Sequence, residues 1–166
     1  MAAGTLVSVE EYLRTTYRPD CDYIDGEVVE RNVGERGHGR LQGIICAWFL
    51  SREPQWRVTV LVEVRLKVAE RRYRIPDLIV LSADAPYEKV VITPPLLCVE
   101  VLSPCDTLND IWDRIVDYFA IGVPVCWIVD PESRRGWVAT PAGMIEAKDG
   151  ILRAGEIAMP LAEVLE

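Results

Sequence analysis

Three short, almost unbroken apolar runs constrain this chain most: residues 75–81, 96–102 and 125–129. Runs this short, rich in valine, isoleucine and leucine, read as strands buried on both faces, in a sheet covered by helices. Two of them carry an acid. Asp77 opens the first run and Glu100 lies inside the second.

An ionised carboxylate in a dry strand is costly unless a cation or a metal compensates it. Two such acids on central strands call for a common cause. A hard divalent cation supplies one, because it takes several oxygen ligands and carboxylates on neighbouring strands provide two. The backbone carbonyl of Val101 offers a third. The competing reading pairs each acid separately with an arginine, such as Arg74 or Arg114.

The remaining pattern gives these strands a setting. Ser8, with Glu11 three residues on, caps a short helix. Residues 21–30 read as a hairpin around Asp25-Gly26. A loop over 34–39 precedes a helix over 40–52, whose apolar residues Leu41, Ile44, Ile45, Trp48 and Phe49 share one face. Alternating valines over 56–69 predict a strand with a bend, and residues 108–121 predict a helix stopped by Gly122 and Pro124. Short strands follow, with turns at Gly136, Pro141-Ala142-Gly143 and Asp149-Gly150. The order predicts one domain over 1–166, of α/β (α+β) class: a mixed sheet flanked by helices.

Composition excludes several functions. Five cysteines with no C-x-x-C pair fit reduced, buried thiols better than zinc or disulfides. A single histidine, His38, argues against histidine-built metal sites, so any catalytic metal is held by oxygens, favouring Mg²⁺ or Mn²⁺. A net charge of −8 argues against non-specific coating of nucleic acid, though not against a local basic surface. There is no apolar run of membrane-spanning length and no signal-peptide pattern in residues 1–9, so the expected location is cytoplasmic. Neither a phosphate-cradling glycine loop nor a G-x-S-x-G elbow is present.

Arg65, Lys67, Arg71, Arg72 and Arg74 place five of the 18 basic residues just upstream of Asp77. The stripe reads either as a phosphate-contacting surface or as a solvated hairpin balanced by Glu63 and Glu70. Glu63 itself is a minor candidate for the acidic site. Asp22 and Glu30 read as solvated. His38 reads as a helix cap or structural donor, or else as a catalytic group or phosphate contact.

An ordered set of motifs adds a resemblance. Residues 8–12, Tyr23-Ile24-Asp25-Gly26-Glu27-Val28, and His38 before a helix are followed by Pro76-Asp77 and Glu100-Val101-Leu102-Ser103-Pro104. Tyr118, Gly122-Val123-Pro124 and Trp127-Ile128-Val129-Asp130-Pro131 complete it. Over roughly residues 5–135 the chain resembles the Uma-type family of restriction endonucleases in the PD-(D/E)xK nuclease superfamily. That resemblance implies a restriction-endonuclease-like fold and Mg²⁺-dependent cleavage of DNA. It implies a homodimer in which each subunit cuts one strand. Asp77 and Glu100 become metal ligands with the Val101 carbonyl, and Glu27 matches an acid of the opening motif.

One position departs from the pattern. Leu102 stands where the superfamily has lysine, and the lysine that the family carries on the following helix is here Arg114. Arginine stays protonated and cannot act as a general base, but it can clamp a phosphate. At about 100° per residue, Arg114 falls on the border of the helix's apolar face, beside Ile111 and Tyr118. Two functions remain: a metal-dependent nuclease, or a nuclease fold that only binds nucleic acid or protein. In the second, Trp112 and Trp137 are interface candidates.

Overall fold

The computed structural model describes residues 6–32 and 34–165. Residues 1–5, part of the stretch that bears on the signal-peptide reading, lie outside the described residues. Helix α1 (Val9–Arg14) is capped by the Ser8 side chain, as its sequence predicts. Strands β1 (Asp22–Ile24) and β2 (Glu27–Val29) form the expected hairpin. Asp25 and Gly26 both take positive φ, 52° and 108°, the backbone a two-residue hairpin turn requires.

Helix α2 spans Arg36–Leu50. It starts four residues earlier than predicted, because Gly37 and Gly39 read as loop residues. Tertiary contact overrides that weak propensity: His38, Leu41, Gln42, Ile45, Trp48 and Phe49 form one buried face. A short helix α3 (Glu53–Trp56) uses Pro54 in its first turn, where no backbone donor is needed. The valine-rich stretch splits into β3 (Val58–Val62) and β4 (Leu66–Ala69). The break falls at Glu63, which has φ 49°.

The remaining elements are β5 (Arg72–Arg74), β6 (Leu78–Ser82), β7 (Leu97–Val101), α4 (Leu108–Ala120), β8 (Cys126–Asp130), β9 (Arg135–Thr140), β10 (Gly143–Glu146), β11 (Ile151–Ala154) and β12 (Ile157–Pro160). Six strands form the main sheet in the order β10-β9-β8-β7-β6-β3. Within it, β7 and β8 are parallel and their neighbours antiparallel. A second sheet has the order β2-β1-β5-β4, and β11 pairs with β12. Gly136, read as a turn, lies inside β9. A Cβ there would meet the methyls of Leu152 and Leu161 at 3.2 Å, so a larger residue would have to push those side chains aside.

The apolar runs alternate between two cores, as strands buried on both faces must. Leu78, Val80, Leu97, Val99, Trp127 and Val129 face α2 and the β11–β12 hairpin. Ile79, Leu81, Cys98, Cys126 and Ile128 face α4, whose Ile111, Ile115 and Tyr118 are buried there. Trp112 and Val116, which the helical wheel places on the same broad apolar face, are 43% and 47% exposed. The mixed sheet flanked by helices is thus the predicted architecture.

Candidate active site

The site lies where β6 begins and β7 ends. Continuing the β6–β7 register one step beyond Leu78–Val99 sets Asp77 opposite Glu100. Both are buried, at 1% and 0% exposure. The backbone of Asp77 is pinned, since its carbonyl accepts from the Glu63 amide and the Gln42 side chain, each at 3.2 Å. Its carboxylate then stands in for a strand. Oδ2 accepts the Val101 N–H at 2.7 Å, where the β6 ladder has run out. Val101 has the parity of residues that face β6, because the neighbouring Leu102 amide bonds to β8. Its carbonyl therefore opens toward the same gap.

Cations gather on this pair. Arg31 Nη2 donates to Asp77 Oδ1 at 2.9 Å, and His38 Nε2 lies 3.2 Å from Oδ2. On Glu100, the Tyr118 hydroxyl donates to Oε1 at 2.5 Å and Arg114 Nη1 to Oε2 at 3.2 Å. Arg114 and Tyr118 are one helical turn apart on α4, which brings both to one carboxylate. That helix is aimed by a capping box between Thr107 and Asp110 and closed by Gly122 at φ 96°.

The electrostatics follow from burial. Loss of solvent pushes the Glu100 carboxyl up to about 7, with Arg114 opposing and Asp77 adding to the shift. The hydrogen bond to Asp77 raises the His38 ring above its ordinary value, against the effect of burial. Arg31, Asn32, His38, Asp77, Val101 and Arg114 border a cavity of about 10 Å³, the room of one water or one ion. At its lip, Asn32 donates to Asp106 at 2.8 Å, joining the stretch after β2 to the loop before α4.

The predicted residues fare differently. Asp77, Glu100, Val101, Arg114 and His38 come together. Glu27 does not: it is exposed on β2 and makes no hydrogen bond to the acidic pair. Within the arginine stripe, Arg65, Arg72 and Arg74 meet carboxylates, and Arg71 is exposed. Arg74 is buried and bonds Asp117 at 2.6 Å and Asp22 at 3.0 Å. Arg72 bonds Asp117 and Asp25, Arg65 bonds Asp20, and Arg71 reaches the Asp25 carbonyl. Asp22, read as solvated, is 2% exposed and also accepts the Ile75 amide. Its partners lie about fifty positions away, so local sequence does not announce them. Each site acid does pair with its own arginine, as the competing reading has it: Glu100 with Arg114, and Asp77 with Arg31 rather than Arg74.

Arg31, Asn32, Gln42 and Asp106 are site residues the sequence did not single out. Each is polar in a polar stretch or on a helix border, without the apolar contrast that flags Asp77 and Glu100.

The donor set is that of a hard cation: two carboxylates and a carbonyl. Asp77 Oδ1 and both Glu100 oxygens each accept one hydrogen bond, and a carboxylate oxygen has two lone pairs, so each keeps one for a ligand. Among the described residues, no three His, Cys, Asp or Glu side chains are grouped as metal ligands. A cation held here would have two side-chain ligands from the pair, with water and substrate completing the shell. Among the described residues, no helix is long and apolar enough to cross a membrane.

Comparison with known proteins identifies a family and a similar fold. The family model described as "Uma2: Putative restriction endonuclease" matches residues 9–162. The fold is similar to a crystal structure titled a putative nuclease belonging to DUF820, from Anabaena variabilis. The TM-score is 0.81 at 18% identity, over 96% of this chain and 97% of that one. No curated protein matches the chain.

Proposed function

Because the chain belongs to the Uma2 family of restriction endonucleases, we propose that it is a metal-dependent endonuclease hydrolysing phosphodiester bonds of DNA. The observation that carries this reading is the facing of two buried carboxylates, Asp77 and Glu100, the first of which borders a small polar cavity together with Arg114, the partner of the second. Asp77, Glu100 and the Val101 carbonyl hold Mg²⁺ or Mn²⁺. Bound there, the ion supplies Lewis acidity toward the phosphate and an acidified water.

The chain's own residues do the rest. Tyr118 fixes Glu100 through its hydroxyl, and His38 with the Val101 amide fixes Asp77. Arg114, charged at every working pH, binds a phosphate oxygen and stabilises charge developing there. It does not remove the proton from the attacking water. The enzyme acts as a homodimer, with one strand cut per subunit.

The test is cleavage of plasmid DNA with Mg²⁺ or Mn²⁺ present. Asp77→Ala and Glu100→Ala are each expected to lower it at least about 10³-fold, the order for losing a principal electrostatic group. Unchanged cleavage in both variants removes the assignment. One observation favours a second reading, a fold that binds without cutting: all four carboxylate oxygens already accept protein donors. Duplex binding by wild type without cleavage at any metal concentration would select it.

A further inference from the structure

Two segments distant in sequence deliver a guanidinium to the same cavity: Arg31 from the stretch after β2, and Arg114 from α4. Their side chains are 11% and 13% exposed. Among the described residues each makes one hydrogen bond, Arg31 to Asp77 and Arg114 to Glu100. A guanidinium carries five N–H donors. The Arg31 Nε is buried with no partner. Among the described residues Arg72 Nε is the other such donor; an idle buried donor is costly and open to a further acceptor. The contrast is Arg74, equally buried, whose guanidinium bonds two carboxylates at once.

The charges point the same way. Two carboxylates face two guanidiniums, with His38 and Asp106 also bordering the cavity. A divalent cation entering it meets two fixed positive charges within a few ångströms. A phosphodiester brings one negative charge and two non-bridging oxygens, the acceptor geometry that forked N–H groups match.

We infer that Arg31 and Arg114 form a two-pronged phosphate clamp that rests on Asp77 and Glu100 until a phosphodiester draws it away. Divalent metal and nucleic-acid phosphate therefore bind this site together, each weakly alone. The clamp rests on the nuclease reading above. It makes Arg31 a phosphate-binding residue, and it makes the two affinities reciprocal: whatever factor the duplex adds to metal binding, metal adds to duplex binding.

Titration of the full chain with Mn²⁺, followed by the paramagnetic signal of the free ion, tests this with and without a short mixed-sequence DNA duplex. Wild type is expected to bind Mn²⁺ at least about tenfold tighter with duplex present. Arg31→Met removes one repelling charge and one prong, so Mn²⁺ alone binds about tenfold tighter than to wild type and the duplex adds little. Arg31→Lys keeps the charge without the fork: metal alone stays weak and the coupling falls. Should Arg31→Met lose its cooperative thermal transition, Arg31→Lys carries the test. Equal Mn²⁺ affinity with and without duplex in wild type overturns the clamp, as does wild-type coupling in the variants. If no form binds Mn²⁺ under either condition, the metal-dependent reading itself falls, an outcome distinct from Mn²⁺ binding that ignores the duplex.

Discussion

Glu100 has no exposed surface, and burial moves its acidity from 4.5 up to about 7. His38 moves upward too, because of its hydrogen bond to Asp77. In both, the folded protein binds the proton more tightly than the unfolded chain. The resulting stability is complete below the unfolded values, 4.5 and 6.5. It is lost as pH rises through the folded ones. Glutamine mimics the protonated acid. Glu100→Gln is therefore expected to gain on wild type by roughly 1–3 kcal/mol between pH 5 and pH 8, measured by urea denaturation across that range. A stability difference independent of pH contradicts the burial account. At this scale the sequence was informative where chemistry clashed with surroundings: Asp77 and Glu100 stood out against apolar neighbours. Arg31 and Gln42 did not, because a polar residue in a polar stretch carries no such contrast.

Elements position these side chains, and α4 does so most directly, carrying both Arg114 and Tyr118. Its first turn is held by the reciprocal Thr107–Asp110 bonds. Thr107→Ala is expected to cost about 1 kcal/mol of stability. It should also lower cleavage more than it lowers duplex affinity, since the frayed turn lies beside Asp106 and one turn before Arg114. Thermal melting and a comparison of cleavage rate with binding check both parts. Strand and helix identities were legible from periodicity, including the two-sided burial of β6, β7 and β8. The start of α2 was not. Gly37 and Gly39 advertise a loop, and only the burial of His38 against Asp77 makes helix the better state. The valine run was likewise read as one bent strand, whereas Glu63 at positive φ divides it between two sheets.

Across the whole molecule, the small sheet is fastened to α4 by an ion network rather than by apolar packing alone. Asp22 of β1, Arg74 of β5 and Asp117 of α4 are each less than 10% exposed and mutually bonded, and Arg72 extends the chain to Asp25. Removing the central cation strands two buried carboxylates. Arg74→Met is expected to destabilise the fold by about 3–5 kcal/mol, read as a fall in the denaturation midpoint. A loss under about 1 kcal/mol would mean that the network is solvated. This is where the sequence misled. Five clustered cations suggested a surface for phosphates, while the acids that pair with Arg65, Arg72 and Arg74 are Asp20 and residues of β1, the β1–β2 turn and α4. Ion pairs joining distant segments leave no local signature.

Asp77 also does something a loop residue rarely does: its side chain completes the hydrogen-bond ladder of β7 by holding the Val101 amide at 2.7 Å. The proton on that nitrogen is thereby tied to the acidic pair and not to a neighbouring strand. Its rate of exchange with deuterated solvent becomes a clock set by the carboxylate. A solution spectrum following one amide can thus watch ions and phosphates arrive or leave, without any cut product being formed.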